Sequence, residues 1–263
     1  MPSKSLQKQR TVKSEIKSLL FVILIALAIR TFCFELFYVP TGSMKGTILE
    51  GDYILSTKYN YGYSIYSLPV NYNLFEGRIL AGQPERGDVV IMRPPHNMEL
   101  RYIKRLVGLP EDKIEIIDDL IYINDNPIER VEIGQYIDEQ GVSYRKFQET
   151  LPNGCQYFSY KMSDMSINNP LNISNFGPYI VEPGKYFFIG DNRDHSGDSR
   201  YQLGTVPFKN FIAKGQLVLF STGITLWDMQ AGLIEQVKRI GSWLSSIRFK
   251  RVYNSLYESP ASN

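Results

Sequence analysis

Residues 101–108 read RYIKRLVG, and this stretch has the pattern of a β-strand. Side chains alternate between the two faces of a strand, so Lys104 shares a face with Tyr102 and Leu106. Burial of that face would place an ammonium group in low dielectric, which lowers the lysine pKa from its ordinary value of about 10.4. The stretch predicts either a lysine that acts as a base or the commoner case, a strand lysine whose amine reaches water.

Short strand-like runs separated by Gly, Pro, Asn and Asp surround this stretch. No long amphipathic helix is indicated before residue 225, so we expect a mainly β fold with an antiparallel or mixed sheet. Asp118 and Asp119 separate two of the runs and predict a hairpin turn. The segment 163–178, rich in Asn, Ser and Pro, predicts a long surface loop. The other predicted strands are 52–56, 88–92, 113–117, 120–123, 186–189 and 216–220.

The composition is typical of one principal domain with an appendage. Hydrophobic residues make up 43% of the 263 residues, enough for one sizeable core. Lys and Arg number 29 against 27 Asp and Glu, so the net charge of +2 does not indicate a nucleic-acid partner. The two cysteines, Cys33 and Cys155, are too few for a disulfide framework or a metal quartet. Both are expected to be free thiols.

An apolar stretch near the N-terminus predicts a membrane anchor. Residues 19–29 are all apolar, and the apolar character continues around Arg30 and Glu35 to residue 39. A helix over 19–39 would be about 30 Å long, which is the hydrocarbon thickness of a bilayer. Residues 1–18 contain five basic residues and one acidic residue. The N-terminus is therefore expected in the cytoplasm and the domain after residue 39 outside it. The alternative is a cleaved signal peptide, because an ALA sequence inside the apolar stretch has the form of a cleavage site.

The C-terminal segment 223–263 predicts an amphipathic helix. Its apolar residues fall at helical spacing and are interleaved with Lys and Arg, a pattern typical of a helix on an anionic membrane surface. A helix packed on its own domain would show the same pattern, so both interpretations stay open. The apolar residues are Leu226, Trp227, Leu233, Ile234, Val237, Ile240, Trp243, Leu244 and Ile247.

Two further clusters contain residues suited to catalysis. Residues 40–44 read PTGSM, and a turn there would present the hydroxyl of Ser43 together with its backbone N–H. Residues 190–200 read GDNRDHSGDSR, in which Asp and Arg are dense enough to form a charge-assisted lattice. Calcium is not expected there, because Arg193 and His195 occupy positions where an EF-hand loop has oxygen ligands. Neither a metal nor another cofactor is expected.

Together and in this order, the clusters resemble those of the bacterial type I signal peptidases. The resemblance covers residues 37–112 and 181–220. It implies a β catalytic core made of 40–112 and 181–222, with 113–180 as an inserted β subdomain. The matching segments are 40–44 with 51–52, 86–90, 102–110 and 190–200.

The resemblance implies a serine endopeptidase with a Ser/Lys dyad. Ser43 would be the nucleophile and Lys104 its general base. Ser196 would orient the lysine, and Asp198 with Arg200 would brace the loop. These roles fit one another, since a serine needs a base to become nucleophilic and the base needs a third group to orient it.

The resemblance also implies an oxyanion hole and a substrate. The Ser43 backbone N–H and the Thr41 hydroxyl would stabilise the oxyanion, and such donors are worth about 3 kcal/mol each. The substrates would be secretory precursors whose signal peptide ends in a small-x-small motif, cleaved at the outer face of the bacterial inner membrane. An extended peptide added to a strand edge would place alternate side chains in two shallow pockets. Those pockets would be lined by Phe37, Val39, Met44, Ile48, Tyr102 and Ile103.

Four positions depart from the pattern of the family. Thr41 replaces serine and keeps the hydroxyl. Gly46 stands where proline is usual, Glu111 where glycine is usual and His195 where asparagine is usual. We interpret these differences as drift in supporting loops, with a looser nucleophile turn at Gly46.

Rival functions use the same residues. His195 lies beside acids and His96 is the other histidine, so a Ser–His–Asp triad is one alternative. Lys45, two residues after Ser43, is a second candidate base in a turn expected to be wet. A membrane-tethered module that binds exported peptides without cleaving them is an alternative of a different class. A self-cleaving repressor is not expected, because no DNA-binding helices are indicated.

Overall fold

A computed structural model of the chain describes residues 12–67, 75–163, 173–224 and 240–257. Within these ranges the fold is mainly β, as predicted, with one long helix, α1 (Val12–Phe32), ahead of the strands. Every predicted strand is present, most with ends moved by no more than one residue. The exception is 216–220, which is part of a longer strand, Phe211–Ser221. Cys33 and Cys155 are free thiols, as expected.

The main sheet has seven strands: β1 (Phe34–Tyr38), β2 (Asp52–Thr57), β3 (Val89–Met92), β4 (Tyr102–Gly108), β12 (Lys185–Ile189), β13 (Val206–Pro207) and β14 (Phe211–Ser221). Their order is β1-β2-β14-β3-β4-β12-β13, and each neighbouring pair is antiparallel. β4 therefore lies inside the sheet, between β3 and β12. Apolar residues of β3, β4, β12 and β14 pack together into one of the core clusters.

Seven strands within 113–163 and 176–180 form two smaller antiparallel sheets. Their strands are β5 (Lys113–Ile117), β6 (Leu120–Ile123), β7 (Asn126–Pro127), β8 (Glu129–Ile137), β9 (Ser143–Thr150), β10 (Gln156–Met162) and β11 (Phe176–Ile180). One sheet has the order β11-β5-β6-β7 and the other β10-β9-β8. Asp118 and Asp119 form the predicted hairpin turn, with φ of 48° and 68°. Positive φ at both positions is typical of a type I′ turn.

The prediction of a loop over 163–178 is wrong at its C-terminal end. Phe176–Ile180 is strand β11, paired with β5. The Phe176 and Tyr179 rings lie 5.3 and 6.2 Å from the ring of Phe187, so aromatic packing holds this edge against the core. Residues 164–172 of the predicted loop lie outside the described residues.

The apolar stretch near the N-terminus is divided between a helix and a strand. α1 ends at Phe32, and β1 pairs with β2, so the prediction of one membrane span over 19–39 is wrong in its second half. β1 alternates, with Glu35 and Phe37 buried and Phe34, Leu36 and Tyr38 exposed. Across the described parts of the chain, no helix is both long enough and apolar enough to cross a membrane.

The buried carboxylate of Glu35 explains why β1 joins the sheet. It lies 2.7 Å from Nζ of Lys58 and 3.3 Å from Nη2 of Arg30, with Arg101 at 3.9 Å. A buried charge is tolerated when it is paired, and these partners come from α1, the end of β2 and the residue before β4. Glu35 therefore fixes the end of α1 to the sheet.

The C-terminal residues pack along β14. Residues 240–245 are helical, while 225–239, where most of the predicted amphipathic helix falls, lie outside the described residues. The ring of Trp243 lies 5.4 Å from that of Phe220. Further on, the Tyr257 hydroxyl donates to the Gly215 carbonyl at 2.8 Å. The described part of this segment is thus in contact with its own domain.

Candidate active site

The turn that joins β1 to β2 carries Ser43. The Lys45 N–H donates to the Gly42 carbonyl at 3.0 Å, and the Ile48 N–H donates to the Met44 carbonyl at 2.8 Å. Met44 and Ile48 are buried in a cluster with apolar residues of β2, β3 and β14. Their burial fixes the turn on either side of Ser43, whose exposure is only 9%.

Lys104 meets Ser43 from the middle of β4. Its Nζ lies 2.5 Å from the Ser43 Oγ and 3.2 Å from the Ile103 carbonyl oxygen. Only 4% of Lys104 is exposed, and its Nζ lies 5.4 Å from the centre of the Tyr102 ring. The amine is therefore enclosed and in hydrogen-bond contact with the serine hydroxyl.

Burial lowers the pKa of the Lys104 ammonium to about 8, from an ordinary value of 10.5. Desolvation is the main cause, because an ammonium loses its hydration inside the protein. The carboxylates of Asp198 and Asp191 act in the opposite direction, and Arg200 acts in the same direction as burial. The shift corresponds to a penalty of about 3 kcal/mol on the charged form.

The loop that follows β12, residues 190–200, packs against the turn that carries Ser43. Asp198 accepts hydrogen bonds from Nε of Arg200 at 2.9 Å and from the Gly190 N–H at 2.9 Å. Burial opposes ionisation of Asp198, but Arg200 holds the pKa of its carboxyl below the usual range. A Cβ on Gly190 would lie 2.2 Å from the Ser196 Oγ and 2.6 Å from the Ser43 carbonyl oxygen, so only glycine fits there.

Arg105 points to the opposite face of β4 from Lys104 and makes a second buried contact with this loop. Its Nε and Nη2 donate to the two carboxylate oxygens of Asp191 at 2.8 and 2.7 Å, and each side chain is only 1% exposed. Desolvation would lower the pKa of Arg105, but Asp191 raises it above its ordinary value. The Thr47 hydroxyl donates to the same carboxylate at 2.7 Å, which connects the pair to the turn that carries Ser43.

Asn192, which the sequence patterns did not single out, contacts the turn that carries Ser43 directly. Its Nδ2 donates to the Gly42 carbonyl at 2.9 Å, and its backbone N–H donates to the Ser43 carbonyl at 3.1 Å. The available signal was its place in the segment 190–200, between an acid and an arginine. No periodicity marks an asparagine in a loop, so only the fold identifies these contacts.

A groove of about 700 Å³ opens beside Ser43. Residues 102–104 of β4 pair with β3, whereas the pairing with β12 begins at Arg105, so one edge of 102–104 is unpaired among the described residues. All six residues of the predicted pocket line the groove, together with Thr41 and His195. The six are Phe37, Val39, Met44, Ile48, Tyr102 and Ile103.

Comparison with known proteins assigns the chain to a family. The family described as "Signal peptidase, peptidase S26" matches residues 12–220. Signal peptidase I of Rickettsia typhi is 56% identical over 251 residues, which cover 94% of this chain and 95% of that protein. Signal peptidase I of Rickettsia massiliae is 57% identical over 254 residues, 95% of each chain.

The chain belongs to the signal peptidase family, peptidase S26. It is therefore a serine endopeptidase of the signal peptidase I type, and the predicted enzyme class is confirmed. A crystal structure of a signal peptidase I from Enterococcus faecalis is 26% identical, with a TM-score of 0.33, and covers 50% of this chain and 96% of that one.

The rival bases of this signal peptidase have other partners. Nζ of Lys45 donates to Oδ2 of Asp138 at 2.9 Å. Partial burial opposes the charged form, yet this hydrogen bond raises the pKa of Lys45. The ring of His96 packs against Tyr102 at 5.9 Å, and His195 lines the groove. Among the hydrogen bonds of the described chain, the one to the Ser43 hydroxyl comes from Lys104.

The interpretation of Gly46 as drift that loosens the turn is wrong. Gly46 has a φ of +97°, and a Cβ there would lie 2.2 Å from Cε2 of Tyr160. Proline cannot adopt this conformation, because its ring fixes φ near about −65°. The Tyr160 ring of the inserted sheet packs closely against the turn, so glycine is required in this signal peptidase.

Ser196 and Thr41 differ in their surroundings. The Ser196 hydroxyl is buried beside the Asp198 carboxylate and helps to lower the pKa of Asp198. Thr41 is exposed at the edge of the groove. The backbone N–H of Ser43 makes no hydrogen bond within the described ranges, which leaves it available to a ligand in the groove.

Proposed function

We propose that Ser43 and Lys104 form the catalytic dyad of this signal peptidase and that it removes N-terminal signal peptides from exported precursors. The observation that supports the dyad is the 2.5 Å hydrogen bond between the Lys104 Nζ and the Ser43 Oγ. The lysine pKa of about 8 adds to it, because a general base works best when its pKa lies near the working pH.

In the acylation step, the Ser43 Oγ attacks the carbonyl carbon of the scissile bond while its proton passes to Nζ of Lys104. The carbonyl π electrons move to oxygen and form a tetrahedral oxyanion. When the oxyanion collapses, the C–N bond breaks and the Lys104 ammonium returns the proton to the leaving amine. The signal peptide stays bound to Ser43 as an ester.

Deacylation repeats the sequence with water as the nucleophile. Lys104, neutral again, takes a proton from a water molecule that attacks the ester carbonyl. Collapse of the second oxyanion breaks the C–O bond, and the ammonium returns the proton to the Ser43 Oγ. One buried amine thus acts as base and then as acid in each half-reaction.

The oxyanion is proposed to bind the Ser43 N–H and the Thr41 hydroxyl. Both belong to the turn that carries the proposed nucleophile, and Thr41 and Ser43 both line the groove. A donor already fixed in position stabilises the developing charge without reorganisation during the reaction. Threonine carries the hydroxyl on a branched carbon, which restricts its rotamers.

The groove is proposed to bind the end of the signal peptide as an added strand. The unpaired edge of 102–104 offers backbone groups to an extended chain, which is the usual mode of strand addition. Bulky groove residues such as Phe37, Met44 and Ile48 would leave room for small side chains. Replacing alanine by phenylalanine before the cleavage site should abolish cutting, and undiminished cutting would contradict this assignment.

Three residues of the 190–200 loop are proposed to support the dyad. Asp198 and Arg200 hold the loop through their buried ion pair at 2.8 Å. Ser196 is proposed to orient the lysine, and its buried hydroxyl lies beside the Asp198 carboxylate, which would hold it in place. Ser196→Ala should lower kcat at nearly constant KM if this orientation matters, while an unchanged kcat would remove Ser196 from the mechanism.

Attachment to the bilayer is proposed to involve α1. Its exposed apolar side chains would be costly in water, and basic residues dominate 1–18. The single crossing, the cytoplasmic N-terminus and the site outside the cytoplasm stay predictions. Alkaline extraction of membranes, with protease digestion from each side, tests them. The exposed side chains are Leu19, Leu20, Phe21, Val22, Ile23, Leu24, Ile25, Leu27 and Ile29.

The decisive experiment compares precursor processing by four proteins in detergent: wild type, Ser43→Ala, Lys104→Met and Lys45→Met. The first two variants should lose processing with their folds intact. Lys45→Met is the matched control, because it removes an amine of the same turn whose partner is Asp138. If Lys45→Met is as inactive as Lys104→Met, the assignment of the base is wrong. Retained processing by Ser43→Ala would contradict the dyad altogether.

A further inference from the structure

Asn192 is a buried polar residue that the proposed dyad does not use. Only 1% of it is exposed. Its side-chain Nδ2 donates to the Gly42 carbonyl at 2.9 Å, and this carbonyl also accepts the Lys45 N–H at 3.0 Å. The Gly42 carbonyl and the Ser43 N–H belong to one planar peptide unit. Asn192 therefore acts on the peptide whose N–H is the proposed oxyanion donor.

We propose that Asn192 is the positioning residue of the oxyanion hole. The inference rests on the proposed role of the Ser43 N–H as an oxyanion donor. A hydrogen bond to the carbonyl draws electron density toward its oxygen and makes the N–H of the same peptide a stronger donor. It also restricts rotation of that peptide about Gly42, a residue with wide backbone freedom.

The other end of the Asn192 amide supports this role. Its Oδ1 is buried and has no hydrogen-bond partner in the described structure. An unpaired buried acceptor lowers stability, and each such group in a folded protein needs an explanation. Turning the amide over would place Oδ1 against the Gly42 carbonyl oxygen, where two acceptors repel. The donation to Gly42 is thus what fixes the amide orientation.

The inserted sheet holds Asn192 in place. Residue 192 forms a parallel bridge with Tyr160 of β10. The Tyr160 N–H donates to the Asp191 carbonyl at 2.8 Å, and the Arg193 N–H donates to the Tyr160 carbonyl at 2.9 Å. Arg193 is paired in turn with the buried Glu149 of β9. Strands outside the main sheet thereby fix the backbone on both sides of the asparagine.

The test compares Asn192→Asp and Asn192→Ala with wild type. The aspartate has nearly the same volume, but its carboxylate cannot donate to Gly42. The matched control is Asn153→Ala, because Nδ2 of Asn153 also donates to a backbone carbonyl at 2.9 Å, that of Arg86, at an exposed site outside the groove. Measurements are kcat and KM on a precursor peptide and thermal unfolding.

Two inhibitors separate positioning from simple loss of structure. One is a substrate-like peptide aldehyde: the Ser43 Oγ adds to its carbon, the carbonyl π electrons move to oxygen, and the Oγ proton goes to Lys104. The resulting oxyanion occupies the proposed hole. The other is the same peptide with a methylene in place of the scissile carbonyl, so that it has no oxygen to place there.

The expected result is a fall in kcat of about 10-fold to 30-fold for both Asn192 variants, with KM nearly unchanged; direct loss of an oxyanion donor costs more. Aldehyde affinity should fall by a similar factor, while the methylene peptide and the Asn153→Ala control stay within about two-fold. An unchanged kcat, or equal weakening of both inhibitors, would overturn the inference. A loss of activity that only follows the loss of folded protein would overturn it as well.

The failure of this inference can be told apart from the failure of the dyad. If Ser43→Ala still processes precursors, the proposed dyad is wrong. If Ser43→Ala is inactive and the Asn192 variants keep full kcat, only this inference is wrong.

Discussion

Lys104 and Arg105 are adjacent in β4 and almost fully buried, yet their surroundings differ completely. The Lys104 face has a serine hydroxyl and a backbone carbonyl within hydrogen-bond distance, and the lysine pKa falls to about 8. The Arg105 face has the carboxylate of Asp191 in a two-bond contact, and the arginine pKa rises. Burial alone therefore does not decide the charge of a basic residue. A carboxylate in direct contact keeps such a residue charged.

The difference assigns separate tasks to the two faces of one strand. On the Lys104 face, an amine that loses its proton readily is suited to chemistry. On the Arg105 face, a permanent ion pair connects β4 to the loop that carries Asp191 and, through Thr47, to the turn that carries Ser43. Changes on the first face should affect turnover, and changes on the second should affect stability.

The largest effect is expected from Lys104→Met. Removing the proposed base should lower kcat/KM by about 10⁶-fold, the size of loss seen when a serine protease loses its base. The free energy of unfolding should stay constant or rise, because an apolar side chain replaces a buried amine. Peptide cleavage and urea denaturation measure the two quantities. A large loss of stability would place Lys104 among the structural residues instead.

Arg105→Met should lower the free energy of unfolding strongly and turnover only weakly. It leaves Asp191 buried without its charged partner, which typically costs about 3–5 kcal/mol. Urea denaturation should show this loss, with kcat of the protein that stays folded much less affected than in Lys104→Met. Equal stability of wild type and Arg105→Met would contradict the structural role of the Arg105 face.

Gly46→Ala should lower stability less than Arg105→Met does, and it tests the contact between the Ser43 turn and the Tyr160 ring. The alanine would be strained at a φ of +97°, and its Cβ would meet the Tyr160 ring. A loss of about 1–3 kcal/mol is expected for the backbone strain. In a double-mutant cycle, Gly46→Ala should cost less stability in the Tyr160→Ala background than in wild type, by the part that is due to the ring contact. An equal cost in both backgrounds would mean that backbone strain alone accounts for the loss.

The smallest effect concerns pH. The base must be neutral, so kcat/KM should rise about tenfold per unit below the Lys104 pKa of about 8 and level off above it. Because the folded pKa lies below the ordinary 10.5, the unfolded chain binds more protons between these values. Stability relative to Lys104→Met should therefore increase as pH rises from about 8 to 10.5. A flat difference across that window would contradict a neutral lysine.

The sequence predicted much of this fold and some of the site. Period-two patterns located seven strands, and the three clusters contained Ser43, Lys104 and the loop after β12. The prediction from sequence was wrong where one pattern fits two kinds of secondary structure. The mostly apolar stretch 34–38 suited a membrane helix as well as a strand, and the pairing of its buried Glu35 with three cations favours the strand.

Local sequence determined which residue types lie on which face of each strand, because alternation is a property of the extended backbone. Only the tertiary structure decided which of those residues meet. The contacts of Asn192 with Gly42 and Ser43 span about 150 residues, and the packing of Tyr160 against Gly46 also joins residues more than 100 positions apart. A pKa or a required glycine depends on neighbours brought together by folding, and no short stretch of sequence contains them.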